Sequence, residues 1–397
     1  MEFRTVQLGE ISEITKLAGF EFSKYIKYVE DGEIIALRAI NIRNNRLNLD
    51  DIKKIYKDVS DNLVRSKLHK NDIILTYTGN GYGAAALIEE DDKFHLAPNI
   101  AKITPKNCNP YYLFRYITSK KFQKIISNNI GGSSQPTIPM KTLRILPIEI
   151  PKIDIQNRIA KILYDIDKKI ELNDQVNNNL HKLAENMFKQ IYENGIDCKL
   201  SELITNISTG SRPKGGAQNA GIPSIGAEKI EKFGVYNYTS EKYISEEYFN
   251  KLKNGIVKSG DVLLYKDGAY TGKVSMALNG FPHEKCAVNE HVFIINTKDN
   301  WAKYYLYFTL YIEENRNRIF TMASSKAAQP GLNQTELKSL DIKLVDKAEI
   351  IKFEKIVEPI MFKIANNSLQ NKNLERLRDT LLPKLMNGEI NLDKIEC

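Results

Sequence analysis

The sequence is poor in the features that mark several large classes of protein. No uninterrupted apolar stretch approaches the roughly 18 residues needed to span a bilayer, and Met1-Glu2-Phe3-Arg4 does not open like a secretory signal, so a cytoplasmic protein is expected. The four cysteines, Cys108, Cys198, Cys286 and Cys397, are scattered and form no C-x-x-C pair, which argues against zinc and thiol-redox sites and for reduced side chains. The five histidines, His69, His95, His181, His283 and His291, show no H-E-x-x-H pattern and no pairing with a nucleophile.

Other signatures are approached and missed. Gly268-Ala-Tyr-Thr-Gly272-Lys273 resembles a phosphate loop but is one residue short, and Val274 stands where a magnesium-binding hydroxyl is required. Gly79-Asn-Gly81-Tyr-Gly83 has the wrong spacing for a dinucleotide fingerprint. An amino-methylating enzyme needs an Asn/Asp-Pro-Pro-aromatic tetrad around the flipped base. Asn109-Pro110-Tyr111-Tyr112 lacks the second proline and reads instead as an N-cap followed by proline at the first helical position. Asp91-Asp92-Lys93 is a faint nuclease-like cluster in a polar stretch and reads better as a solvated turn. No catalytic activity and no cofactor or metal site are expected in this chain.

What is present is substantial. The 397 residues suffice for two or three domains, and 42% apolar with 27% charged residues is the balance of a folded globular protein. The net charge of +8 is concentrated: residues 1–152 carry +6 and 201–345 carry +3. Two basic blocks suit a polyanionic partner touched at two places, although an ordinary soluble surface accounts for the same excess.

The chain repeats itself. Asp72-Ile-Ile-Leu75 followed by Gly79 and Gly83 returns 189 residues later as Asp261-Val-Leu-Leu264 followed by Gly268 and Gly272. Ala97-Pro-Asn99 matches Ala287-Val-Asn289, Tyr111-Tyr-Leu113 matches Tyr304-Tyr-Leu306, and Gln135-Pro136 matches Gln329-Pro330. Then Ile159, Ile162, Ile166, Ile170, Asn173, Leu180, Leu183 and Met187 map at a constant 194 onto Phe353, Ile356, Ile360, Ile364, Asn367, Leu374, Leu377 and Leu381. Apolar spacing alternating between three and four predicts two helices of about 38 residues whose seams pair as an antiparallel coiled coil. Asn173 and Asn177, mirrored by Asn367 and Asn371, fall near mid-seam, where they fix register or face solvent. Asn194-Gly195 should stop the first helix, and Pro383 with Asn387-Gly388 should kink and stop the second. Strand-like runs at Glu33–Leu37, Ile73–Tyr77, Asp261–Tyr265 and His291–Ile295, with a helix at Tyr111–Ile126, make each block α+β. The expected organisation is a domain over 1–152, a long helix over 153–195, a similar domain over 196–345, and a second long helix with a tail over 346–397.

Within this repeat the polar loops differ. After the first Asp-led strand come Tyr77, Thr78, Asn80 and Tyr82; after the second, Lys266, Asp267, Tyr270, Thr271 and Lys273. A second pair is Ser133, Ser134, Gln135 and Thr137 against Ser324, Ser325, Lys326 and Gln329. Arg212 and Lys214 add cations to a glycine-rich loop over Ser208–Gly216. These residue types read base edges or seat phosphates, though turns favour many of them too. Polar loops that vary on a repeated scaffold suit a reader of two unlike sequences.

The whole chain resembles the specificity subunit, HsdS, of type I restriction-modification systems. The resemblance rests on Leu8-Gly-Glu-Ile11 and Leu200-Ser-Glu-Leu203 opening each block, on Gly210-x-Arg212-Pro213, on the loop pairs, and on the ending Leu381-Leu-Pro383-Lys-Leu385-Met-Asn387-Gly388-Glu-Ile390. The first block departs at Leu17-Ala-Gly-Phe20, which lacks the Arg-Pro. The resemblance implies two target-recognition domains, each reading half of a bipartite target in double-stranded DNA, spaced by the coiled coil. It also implies two methyltransferase subunits that carry S-adenosylmethionine and, where present, a restriction subunit that uses ATP and Mg2+. A protein-binding scaffold with duplicated domains is the alternative, and salt dependence separates the two, because phosphate contacts weaken steeply with salt.

Overall fold

A computed structural model describes residues 2–131, 135–324, 331–390 and 392. The chain is α+β and divides into two units, Met1–Asp167 with Arg376–Cys397, and Lys168–Glu375. Among the described residues no helix is long and apolar enough to cross a membrane.

The first unit is built on a four-stranded antiparallel sheet in the order Ser12–Lys16, Ile100–Pro105, Ile73–Thr76, Ala85–Leu87. Strands Ile73–Thr76 and Ala85–Leu87 are apolar at every position but Thr76, and both faces of the sheet are covered. Ile73, Leu75, Ala101 and Ile103 enter one core, with helices Pro110–Ile117 and Lys120–Asn128, while Ile74, Ala86 and Ile100 enter another. The two-residue period of a strand thus feeds two cores from one run. That second core is shared with a sheet in which Ile34–Leu37 pairs antiparallel with Lys53–Ile55 and parallel with Phe94–Leu96.

The second unit repeats this topology. Its four-stranded sheet runs Asn206–Thr209, Val292–Asn296, Val262–Tyr265, Val274–Met276, and its small sheet joins Ile222–Ile225 to Tyr243–Ile244 and Ala287–Val288. Val262 and Leu264 face one core and Leu263 the other. The two opening motifs are structural in the same way. Leu8 and Leu200 donate their amides to Leu146 O and Leu340 O, both at 2.9 Å. Glu10 and Glu202 each accept from the amide three residues earlier, at 3.3 Å.

The expected helix over Tyr111–Ile126 is two helices. Asn109 caps the first by accepting from Tyr112 N at 2.9 Å, with Pro110 following. Thr118 and Ser119 then bond back to the carbonyls of Phe114 and Tyr116, and Ser119 caps the second helix through Phe122 N. Hydroxyls competing for backbone groups break a helix that the apolar spacing alone would continue.

The long helices span Ile153–Tyr192 and Lys347–Met386, 40 residues each. The first stops just before Asn194-Gly195; the second continues through Pro383 and ends ahead of Gly388, whose φ is +74°. Within the second unit they run antiparallel, with Asn173 facing Asn371 and Asn177 facing Asn367. All four asparagines are buried. Asn173 Nδ2 donates to Asn371 Oδ1 at 2.8 Å and Asn367 Nδ2 to Asn177 Oδ1 at 2.9 Å. A second pair of bonds obeys the 194-residue repeat as well. Asn177 Nδ2 donates to Ser368 Oγ at 3.1 Å, and its counterpart Asn371 Nδ2 donates to Asp174 Oδ1 at 2.7 Å.

The apolar seam differs from the alternating pattern. Ile159, Ile170, Phe353 and Ile364 are buried, and Ile162, Ile166, Leu180, Met187, Ile360, Leu374 and Leu381 are half-buried. Leu183, Ile356 and Leu377 lie outside the buried arc, at 49%, 46% and 47% exposure. Their places are taken by Ala184, Phe188 and Tyr192 on the first helix and by Val357 and Met361 on the second. These helices are packed by a domain as well as by each other. Phe188 meets Tyr305 of helix Lys303–Tyr311 edge to face at 5.1 Å and Phe353 likewise at 5.9 Å, which turns the buried arc away from a two-helix stripe.

Candidate nucleic-acid interface

In each unit a glycine turn follows the Asp-led strand. Gly79 and Gly83 (φ +96° and +83°) and Gly268 and Gly272 (φ +115° and +97°) hold the left-handed conformations that make the reversal. Asp72 and Asp261 serve the strand start rather than the loop: their carboxylates accept from the amides of His69 and Lys258, at 2.8 and 2.7 Å. Burial raises the Asp261 carboxyl pKa, opposed by the Lys258 amide and Asn296.

The turns bring the paired loops together. In the first unit Gly79 N donates to Pro136 O at 2.9 Å, Ile138 N to Tyr77 O at 2.9 Å, and Thr137 Oγ1 lies 3.4 Å from Thr78 Oγ1. Tyr77, Thr78 and Tyr82 are half-buried, Asn80 and Gln135 are exposed, and Lys16 Nζ stands 5.2 Å over the Tyr77 ring. In the second unit Leu332 N donates to Lys266 O at 3.0 Å and Asp267 bridges Gly331. Tyr270 is 63% exposed and Lys273 Nζ lies 4.7 Å over its ring. Thr271 points inward, buried, with its hydroxyl donated to Gly268 O at 2.7 Å. Ser324 is exposed at a helix end. Ser133, Ser134, Ser325, Lys326 and Gln329 lie outside the described residues.

A third segment joins the second unit's cluster. Gly210 lies so close to the strand ahead of Glu290 that a β-carbon there would be 1.7 Å from Val288 O. This approach sets Arg212 against Glu290, Nη2 to Oε1 at 2.7 Å. His291 Nδ1 is 3.2 Å from Asp267 Oδ2 and its Nε2 3.4 Å from Glu290 Oε1. Lys266 pairs with Asp267 at 2.5 Å, and Lys273 pairs with Glu231. Lys214 is exposed beside Gly215 and Gly216. In the first unit the corresponding stretch is the short helix Gly19–Tyr25, with Phe20 largely exposed.

Glu290 and His291 escape a sequence reading for an identifiable reason. Matching Ala97-Pro-Asn99 to Ala287-Val-Asn289 follows residue identity. The hydrogen bonds set the repeat two residues further on: Ala97 N donates to Leu37 O and Asn289 N to Ile225 O, while Tyr77 N donates to Asn99 O and Lys266 N to His291 O. Glu290-His291 therefore occupies the place of Pro98-Asn99.

The near-miss signatures resolve into structure. Lys273 leads into strand Val274–Met276, where a phosphate loop would open a helix. Asn109 spends its side chain on a helix cap, with its amide nitrogen donated to Asn157 Oδ1 at 2.8 Å. Asp92 sits in an exposed turn (φ +55°) paired with Lys67 at 2.6 Å. Burial pushes the Cys108 and Cys286 thiols up to about 12, far from nucleophilic thiolates.

The described residues thus give a duplicated α+β fold, two long helices that run antiparallel in the second unit, and two unlike sets of polar loops. The chain belongs to the type I restriction modification DNA specificity domain family, whose model matches residues 1–182 and again 199–378. It is similar to the type I restriction enzyme HindI specificity subunit of Haemophilus influenzae, with 23% identity over 98% of this chain and 100% of the relative. The MjaIX specificity subunit of Methanocaldococcus jannaschii is 26% identical over 72% of this chain and 69% of its own length. In fold it matches the crystal structure of the type I restriction-modification S subunit of M. genitalium, with a TM-score of 0.60, 14% identity and coverage of 97% and 96% of the two chains. The protein is thus a non-catalytic DNA specificity subunit of a type I restriction-modification system.

Proposed function

We propose that residues 1–152 and 196–345 are two target-recognition domains that read the two halves of a gapped duplex target, and that the helices over 153–195 and 346–397 set the gap. The observation that carries this reading is the duplicated loop pair. One scaffold presents Tyr77, Thr78, Asn80, Tyr82 and Gln135 in one copy and Lys266, Tyr270 and Lys273 in the other. Seated on the helices, two methyltransferase subunits supply S-adenosylmethionine and the methyl transfer; a restriction subunit, where present, supplies ATP- and Mg2+-dependent cleavage. The complex works on cytoplasmic DNA.

Loop substitutions test this. Replacing Lys266, Tyr270 or Lys273 should change base preference in one half-site, and replacing Asn80, Tyr82 or Gln135 should change it in the other. A uniform loss of affinity from all six would instead make them phosphate or folding residues.

A further inference from the structure

A surface that meets a polyanion gains from cations and loses from carboxylates unless the carboxylates have a task. The second domain places two of them, Asp267 and Glu290, inside its loop cluster; the first has Thr78 and Pro98 at those positions. Glu290 is firmly presented. Its carbonyl accepts from Thr209 Oγ1 at 3.1 Å, and the same hydroxyl reaches Val292 O at 3.0 Å. Its two carboxylate oxygens are unequal. Oε1 is shared by Arg212 and His291, whereas Oε2 is shielded from solvent and has no hydrogen-bond partner among the described residues. An ion pair half exposed to water is weak and readily exchanged, and a guanidinium binds phosphate in the same forked geometry it uses for a carboxylate.

We propose that Glu290 is a specificity-determining residue of the second domain: on duplex DNA, Arg212 exchanges Glu290 for a backbone phosphate, and the freed carboxylate accepts a hydrogen bond from an exocyclic base amine in the major groove, cytosine N4 or adenine N6. A carboxylate only accepts, so it selects the base edges that donate there. Arg212 acts as a positioning residue, keeping Glu290 neutralised until a phosphate arrives. His291 is lodged between the two carboxylates, 3.2 Å from Asp267 and 3.4 Å from Glu290. The first domain, with proline at this position, reads its half-site without such a group.

This inference rests on the two-half-site reading, and one experiment separates their failures. The intact complex is used to select from a random-sequence duplex library, and the bound fraction is sequenced. If the unaltered protein yields no two-part motif, the two-half-site reading fails. Given such a motif, Glu290→Ala should cut the preference for cytosine or adenine at one position of one half-site by about tenfold, whereas Glu290→Gln, whose amide both accepts and donates, should lose a cytosine preference but keep or strengthen an adenine one through N6 and N7. The base that loses its preference identifies which amine is read. The other half-site should stay unchanged, which also reports that the variants are folded. Arg212→Ala should weaken binding to all sequences and lower its salt dependence without altering base preference. Unchanged base preference in both Glu290 variants, or a loss spread evenly over every position, overturns the proposal.

Discussion

At Gly210 the missing β-carbon decides where a whole loop lies. Any side chain would collide with Val288 O at 1.7 Å, so Gly210→Ala has to push the Arg212 loop off the strand or strain the backbone. A loss of about 2 kcal/mol or more is expected in the unfolding of the second unit, read by urea denaturation; unchanged stability would show that the loop has room to move. Two buried titratable groups set a pH dependence in the same unit. His181, donor or acceptor to Tyr307 Oη at 2.8 Å, is held down at about 3, first by burial and then by the Lys232 charge. Its folded value lies below the unfolded one, so its contribution is complete above pH 6.5 and declines as pH falls toward 3. Glu354 accepts from Tyr305 N at 2.7 Å and is pushed up to about 8 by burial, against the pull of the Tyr305 and Tyr304 amides. Its folded value lies above the unfolded one, so its contribution is complete below pH 4.5 and is lost as pH rises toward 8, on the order of a few kcal/mol. Glu354→Gln should flatten the decline in urea midpoint between pH 4.5 and about 8. An unchanged slope over that range would assign it to other groups. Residue-scale reading of the sequence worked where the chemistry was local: the Asn109 cap was visible because N-cap and proline signals are contiguous. It missed Glu290, whose partner Arg212 is brought close only by tertiary contacts.

Among the elements, the asparagine ladder is the clearest case of polar residues in an otherwise apolar seam. Removing one member leaves its partner buried and unsatisfied, so Asn173→Leu and Asn371→Leu should each cost about 1–3 kcal/mol, whereas the two changes together should cost less than their sum. A double-mutant cycle on urea unfolding measures this; additive losses would mean that the two side chains do not act as a pair. The four asparagines were legible as a repeated mid-seam feature, but whether they met or faced water was not, because a 3.6-residue helix drifts against a heptad. The same drift, together with a domain helix packing beside the seam, explains why Leu183, Ile356 and Leu377 are exposed while Ala184, Phe188 and Val357 are buried. The break at Thr118-Ser119 was hidden for a different reason. Its apolar spacing continues across hydroxyl groups that turn back onto the backbone.

For the whole molecule, internal duplication was the most legible property, since repeated spacing survives sequence divergence better than identity does. It carries a prediction about assembly. A fragment from Gly195 to Cys397 retains one domain and one long helix whose apolar positions would otherwise be bare, and it should pair with itself; with methyltransferase partners it should recognise an inverted repeat of one half-site. A monomer in sedimentation would contradict this. The most direct test of the central claim, two reading domains at a spacing set by the helices, is to insert one heptad at matched points in both long helices and map the methylated sites in genomic DNA. Seven residues add about 10 Å at 1.5 Å per residue, equivalent to about three base pairs at 3.4 Å each. The expected result is the same two half-sites with the gap lengthened by about three base pairs. An unchanged gap, or a single contiguous motif, would contradict the account.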